Sequence, residues 1–182
     1  MRVFVGLELG EEANEALATF QNDLRPYVER GNFTRKENFH LTLWFIGETD
    51  SAQVSMITHA LEDIARHFAP FEIELGDLNA FQKKNRKILW IGPSSGLYHL
   101  EKLYDALEKD FRHIGIHKEP EAFTPHITLG RQLSLLDTVQ NLRERHTVKP
   151  VKCHIGYITV FESKRVKDLL TYVPIKRVKL NE

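Results

Sequence analysis

An α+β fold of two similar lobes is what this sequence predicts, on three observations. Segments with helical periodicity alternate with short apolar runs along all 182 residues. Phe39-His-Leu-Thr-Leu43 returns as Pro125-His-Ile-Thr-Leu129, so two histidines, His40 and His126, stand 86 residues apart (40 to 126), nearly half the chain. Each copy follows one helical segment and precedes another, as a duplicated strand–helix unit would. No linker or low-complexity stretch interrupts the chain, and residues 1–182 are expected to form one domain of two lobes.

The elements follow in order. Residues 1–8 read as a strand. Residues 11–27 read as an amphipathic helix, with Ala13, Leu17, Phe20 and Leu24 recurring every three or four positions. Residues 39–47 form an apolar strand ended by Gly47. Asp50 with Gln53 resembles a capping box and opens a helix whose stripe is Val54, Ile57, Leu61, Ile64 and Phe68, stopped by Pro70. Strands are expected at 71–78 and 88–91, joined by the lysine-rich segment, and residues 92–96 (Gly-Pro-Ser-Ser-Gly) read as a turn. A third helix carries Leu97, Leu100, Leu103, Tyr104, Leu107 and Phe111 on one face. After a loop containing Pro120 and Pro125 come a strand at 126–131 and a shorter helix at 134–145. Residues 148–178 read as two or three strands.

Composition narrows the function. Apolar residues are 42% and charged residues 27% of the chain, ordinary for a globular protein. Cys153 is the only cysteine, so no intramolecular disulfide forms, as suits a reducing compartment. The first apolar run ends at Glu8, too soon for a secretory leader, and no stretch approaches the roughly 18 apolar residues of a membrane span. A cytoplasmic protein with no membrane partner is expected. Lys and Arg together number 25, as do Asp and Glu. A zero net charge argues against coating long duplexes, because phosphate neutralisation dominates that binding. Short contacts with one phosphate or a few nucleotides remain open. The clusters Lys83-Lys84-Asn85-Arg86-Lys87 and Lys164-Arg165-Val166-Lys167 are candidates, although such runs are more often solvated loops.

In a strand, residues i and i+2 share a face. His40 and Thr42 therefore point one way and Leu41 and Leu43 the other; His126 and Thr128 repeat this in front of Ile127 and Leu129. One His-x-Thr on a strand is commonplace. Two at equivalent points of a repeat suggest the floor of a cleft. Imidazole exchanges protons near neutral pH, and a pair can act in sequence, one as base and one as acid. Threonine hydroxyls suit non-bridging phosphate oxygens. Arg131 would add a charge-assisted contact. Regular alternation points Arg131 backward, unless Gly130 bends the strand. Zinc spacings, a Walker loop, a Gly-x-Gly-x-x-Gly turn and a Gly-x-Ser-x-Gly elbow are all missing from the sequence. The other seven histidines read as surface residues, Cys153 as a buried inert thiol, and Phe81, Trp44 and Trp90 as core.

His40-Leu-Thr-Leu43 and His126-Ile-Thr-Leu129 resemble the paired His-x-Thr-x motifs of the 2H phosphoesterase superfamily, and within it the bacterial RNA 2′,3′-cyclic phosphodiesterases, also called 2′-5′ RNA ligases. Arg2-Val-Phe-Val5, Glu37-Asn-Phe-His40, Leu-Trp-Phe-Ile-Gly47, Ile88-Leu-Trp-Ile-Gly92, Pro125, Arg131, Phe161-Glu-Ser163 and Tyr172 extend the resemblance over nearly the whole chain. Phe33-Thr34 stands where tryptophan is common, which would alter a cleft wall, and Gly130 replaces a frequent alanine. The resemblance implies two pseudo-symmetric antiparallel sheets with outer helices around a central cleft. It implies His40 as proton donor to the ribose 3′-oxygen, His126 as proton acceptor from water, and Thr42, Thr128 and Arg131 as phosphate ligands. It implies hydrolysis of RNA 2′,3′-cyclic phosphate ends to 2′-phosphomonoesters, with 2′-5′ ligation as the reverse; no metal or cofactor is expected, and a monomer is the default expectation. Alternatives are a cyclic phosphodiesterase acting on ADP-ribose 1″,2″-cyclic phosphate, 2′-5′ oligonucleotides or a cyclic mononucleotide, and a non-catalytic module that binds RNA ends.

Overall fold

Two antiparallel sheets divide the strands of the computed structural model, which describes residues 1–119 and 121–181. Pro120, expected in the loop before the second motif, lies outside the described residues. In chain order the elements are β1 (Arg2–Leu7), α1 (Glu11–Leu24), β2 (Val28–Phe33), β3 (Leu41–Glu48), α2 (Ser51–Ala65), β4 (Phe71–Lys83), β5 (Arg86–Ser95), α3 (Leu97–His113), β6 (Ile127–Leu135), α4 (Val139–Arg145), β7 (Lys152–Ile155), β8 (Tyr157–Val166) and β9 (Leu169–Lys179). One sheet has the order β3-β1-β8-β9 and the other β2-β6-β5-β4-β7. The expected α+β architecture is observed, with one motif strand in each sheet.

Local chemistry accounts for most boundaries. The Asp50 carboxylate accepts from the Gln53 amide at 2.8 Å and caps α2. Helix α1 ends at Leu24, three residues sooner than its periodicity suggests; a tight turn at Arg25–Tyr27 follows, where Pro26 has no N–H to extend the ladder. Helix α4 is shorter than expected. Ser134 and Leu135 still belong to β6, and the helix starts only after Thr138, whose hydroxyl accepts from Asn141 N at 3.1 Å. The lysine-rich segment is not a loose connection. Strands β4 and β5 run through it to a two-residue turn at Lys84-Asn85, and β5 continues through Pro93, which pairs with Leu75.

Strand β2 gives no sequence signal. Its residues, Val-Glu-Arg-Gly-Asn-Phe, show no apolar alternation because four of the six are exposed, and it pairs only with β6. It makes the two sheets unequal: β3 is an edge strand, whereas β6 has a neighbour on both sides. Leu41 and Leu43 of β3, and Ile127 and Leu129 of β6, join one buried apolar cluster.

The two motif strands share an irregularity at the same motif position. Along β3, Thr42 pairs with Gly6 and Trp44 with Val5, which leaves Leu43 as an extra residue. Along β6, Thr128 pairs with Trp90 and Gly130 with Leu89, which leaves Leu129 extra. Each bulge sits three residues after its histidine and shifts the alternation by one. Leu43 and Trp44 are therefore both buried, as are Leu129 and Gly130, and the next residues, Phe45 and Arg131, are exposed. Arg131 thus escapes the backward direction that unbroken alternation would give it.

Gly6 lets β1 approach the first motif closely. A Cβ there would stand 2.7 Å from the Leu41 carbonyl oxygen, which is backbone and cannot swing away. Gly6→Ala is expected to cost about 1–3 kcal/mol in chemical denaturation; an unchanged midpoint would contradict this packing.

Candidate functional site

His40 and His126 occupy matching positions, each immediately before the first paired residue of its strand. Each ring is anchored the same way. His40 Nδ1 lies 2.8 Å from the Asn38 carbonyl oxygen, and His126 Nδ1 lies 2.7 Å from the Thr124 carbonyl oxygen. A carbonyl only accepts, so in both rings Nδ1 carries the hydrogen, and in the neutral ring Nε2 keeps its lone pair. The Thr42 hydroxyl meets His40 Nε2 at 2.8 Å. In the neutral ring that nitrogen is an acceptor, and the hydroxyl donates.

The two strands belong to different sheets yet come into contact. His126 and Arg131 lie close enough to His40 for their charge to disfavour a proton on it, and Arg131 acts on His126 likewise. Burial is the larger cause in both rings. It pushes His40 down to about 4 and lowers His126 from its ordinary value, and in each case the carbonyl bond opposes it. Both imidazoles are therefore neutral at pH 7 in the unliganded protein.

The rings stand among aromatics that have separate origins. Phe4 of β1, Phe161 of β8 and Tyr172 of β9 surround His40 at centroid distances of 4.8, 5.7 and 5.1 Å. Phe81 of β4 and Trp90 of β5 flank His126 at 5.1 and 5.7 Å. Trp44 is core, as expected, but Phe81 and Trp90 are not: both are only half-buried and form a wall of the His126 ring. A His-x-Thr strand needs neighbours whose side chains share its open face, and cross-strand partners of that kind leave no local signal.

Further groups hold the anchors. Asn38 is buried; its amide donates to Leu170 O at 2.9 Å, and its side-chain oxygen accepts from Tyr172 N at 3.1 Å, tying the first motif to β9. Gln21 of α1, also buried, donates to Thr34 O and to Leu129 O, each at 2.8 Å, and so fixes the second motif strand at its bulge. Neither residue stands out in the sequence. Of the other seven histidines, His146 is half-buried against Tyr27 and six are exposed. Cys153 is buried, and burial raises its thiol to about 11, as suits an inert group. The site side chains are imidazole, hydroxyl, guanidinium and aromatic rings. Among the described residues no group of three or more His, Cys, Asp or Glu side chains is arranged to hold a metal ion. No helix of the described residues is long and apolar enough to cross a membrane. Arg131 lines two cavities of about 400 and 580 Å³, the first of which is also lined by Asn38 and Tyr172. A larger one of about 690 Å³ is walled by Trp44, Tyr104 and Lys118 and shares no lining residue with these two.

Similarity to known proteins covers the same span. The model of the 2′-5′ RNA ligase superfamily matches residues 11–167. The RNA 2′,3′-cyclic phosphodiesterase of Thermotoga maritima is 29% identical over 164 residues, 90% of this chain and 87% of the relative. The protein of that name from Aeropyrum pernix is 33% identical over 139 residues, 74% of this chain and 75% of the relative. Among solved structures, E. coli LigT complexed with 3′-AMP superposes with a TM-score of 0.81 at 24% identity, covering 100% of this chain and 98% of that one. TT0787 of Thermus thermophilus gives 0.78 at 22%, covering 99% and 98%. A family match that includes both motif strands, with the fold shared from end to end, leads to one conclusion: the chain belongs to the 2′-5′ RNA ligase superfamily.

Proposed function

We propose that this protein is an RNA 2′,3′-cyclic phosphodiesterase, a single catalytic domain that hydrolyses cyclic phosphate ends to 2′-phosphomonoesters by His/His acid–base catalysis. The reading rests above all on two imidazoles, each with Nδ1 tied to a carbonyl and Nε2 left reactive, coupled electrostatically to one another and to Arg131. The name carried by the Thermotoga and Aeropyrum relatives agrees with it.

His126 Nε2 accepts a proton from water as the oxygen attacks phosphorus. The bond from phosphorus to the ribose 3′-oxygen breaks, and His40 Nε2–H protonates that oxygen as it leaves. The product keeps phosphate on O2′ and carries a free 3′-hydroxyl. His40 ends neutral and His126 protonated, and solvent exchange resets them. Thr42, Thr128 and Arg131 hold the non-bridging oxygens and steady the charge that develops there. The five-membered cyclic diester is strained, so acid and base suffice without a metal or cofactor. With the 5′-hydroxyl of a second strand in place of water, the same displacement forms a P–O5′ bond, breaks the P–O3′ bond and makes a 2′-5′ link as a side activity.

The acid role sets a condition. A ring held at about 4 carries little proton at pH 7. The bound phosphodiester meets it: its negative charge beside His40 favours the protonated ring and raises its pKa in the complex.

Purified protein incubated with RNA ending in a 2′,3′-cyclic phosphate is expected to yield only the 2′-phosphomonoester, read by mapping which oxygen keeps the phosphate. A 3′-phosphate product, or faster turnover of ADP-ribose 1″,2″-cyclic phosphate or a 2′-5′ oligonucleotide, would overturn the assignment; binding without turnover would indicate a recognition module. In that assay His40→Ala and His126→Ala each lose about 10²–10⁴-fold in rate. Thr42→Ala and Thr128→Ala lose less, about 1.5–3 kcal/mol each for one hydrogen bond to a charged group. The pH profile is expected to separate free enzyme from complex. Both rings are lowered in the free protein, so the bell of kcat/KM centres below pH 6.5, whereas that of kcat lies at higher pH because bound phosphate raises His40. A kcat/KM bell centred above pH 6.5 would contradict the burial of these rings.

A further inference from the structure

Next to the residues that hold His40 lies the cavity of about 400 Å³, lined by Arg35, Arg131 and Arg165 with Asn38, Gln132 and Tyr172, and by no carboxylate. Tyr172 stands edge-on to the His40 ring, and Asn38 supplies the carbonyl that anchors it, so cavity and imidazole share a wall. The arginines come from three parts of the chain: the segment before β3, the β6 bulge and the tip of β8. Two are oriented by groups that do not neutralise them. Arg35 donates to Leu170 O at 3.0 Å and to Thr171 Oγ1 at 3.3 Å; Arg165 donates to Asp168 O at 2.7 Å. The Arg131 side chain has no hydrogen-bond partner among the described residues. The one carboxylate in ion-pair range of the three, among those residues, is the exposed Glu37, 3.6 Å from Arg35. In a chain of zero net charge this local excess is not a by-product of a basic composition. Three guanidiniums around one space repel each other until an anion enters, and their planar forks match phosphate oxygens.

We propose that this cavity holds the internucleotide phosphate one step upstream of the reacting end, so that the enzyme reads an RNA strand rather than an isolated cyclic nucleotide. The inference rests on the function proposed above and extends it to substrate length. Its direction follows from in-line displacement. Water enters from the His126 side, and the 3′-oxygen leaves on the His40 side. The ribose, its O5′ and the preceding phosphate must then also lie on the His40 side, where the arginine cavity opens. The second basic cavity beside Arg131, about 580 Å³ and lined by Lys83, Lys84 and Arg86, runs along the β4–β5 hairpin whose Phe81 flanks His126. That is the water side, and its lysines are exposed and free to stay solvated.

The test compares kcat/KM for a 2′,3′-cyclic mononucleotide, the dinucleotide with the same cyclic end, and that dinucleotide with a neutral methylphosphonate link. Wild-type protein is expected to favour the charged dinucleotide over the mononucleotide by about ten-fold or more, as a charge-assisted contact would, and to lose most of that ratio with the neutral link. Arg165→Gln collapses the ratio, and Lys84→Gln preserves it. Equal kcat/KM for mononucleotide and dinucleotide would overturn the inference. So would a full advantage with the neutral link, a ratio untouched by Arg165→Gln, or one abolished by Lys84→Gln. No turnover of any substrate is a different result: it removes the phosphodiesterase reading itself, and the inference with it.

Discussion

An imidazole has two nitrogens, and in both motifs one of them is committed to the backbone. The carbonyls of Asn38 and Thr124, each two residues before its histidine, hold Nδ1–H at 2.8 and 2.7 Å. The orientation of both rings depends on this bond. It fixes the tautomer and the ring plane, and in the first motif it presents Nε2 to the Thr42 hydroxyl. It also opposes the burial that would otherwise drive the proton affinity of these rings lower still. The first carbonyl is itself pinned, because the Asn38 side chain is clamped to β9.

The second constraint is the bulge. A regular strand offers one face to the core and one to the cleft, so a His-x-Thr strand would turn its sixth residue backward. One extra residue, Leu43 or Leu129, reverses the alternation after the threonine. On β6 this turns Arg131 to the open side; on β3 the same position is Phe45. The repeat thus presents one base, one hydroxyl and one further side chain from each strand, and only the third differs in character. Charge enters from one strand alone, which breaks the symmetry of the pair.

How much of this was legible in the sequence depended on range. Alternation alone separates His40 and Thr42 from Leu41 and Leu43, and burial agrees. The Asp50 cap and the stripe of α2 are likewise local, and local patterns read well. Arg131 was harder. Gly130 hinted at a bend, but the bulge is defined only by pairing with β5, which the chain reaches from another direction. Phe81 and Trp90 read as core because apolar composition does not distinguish a buried ring from one that walls a cleft. Strand β2, polar and at an edge, has no hydrophobic pattern at all. The links made by Gln21 and Asn38 are single buried amides, whose meaning lies in partners 108 and 132 residues away.

The central claim is that two imidazoles address one phosphorus atom through Nε2. The most direct measurement follows the ring nitrogens of His40 and His126 by ¹⁵N NMR while inorganic phosphate is added. The expected result is that both Nδ1 stay protonated throughout, and both Nε2 signals move along one saturation curve with a rise in the pKa of each ring. Response of only one ring, two unrelated curves, or a hydrogen on Nε2 rather than Nδ1 in the neutral free protein would contradict it.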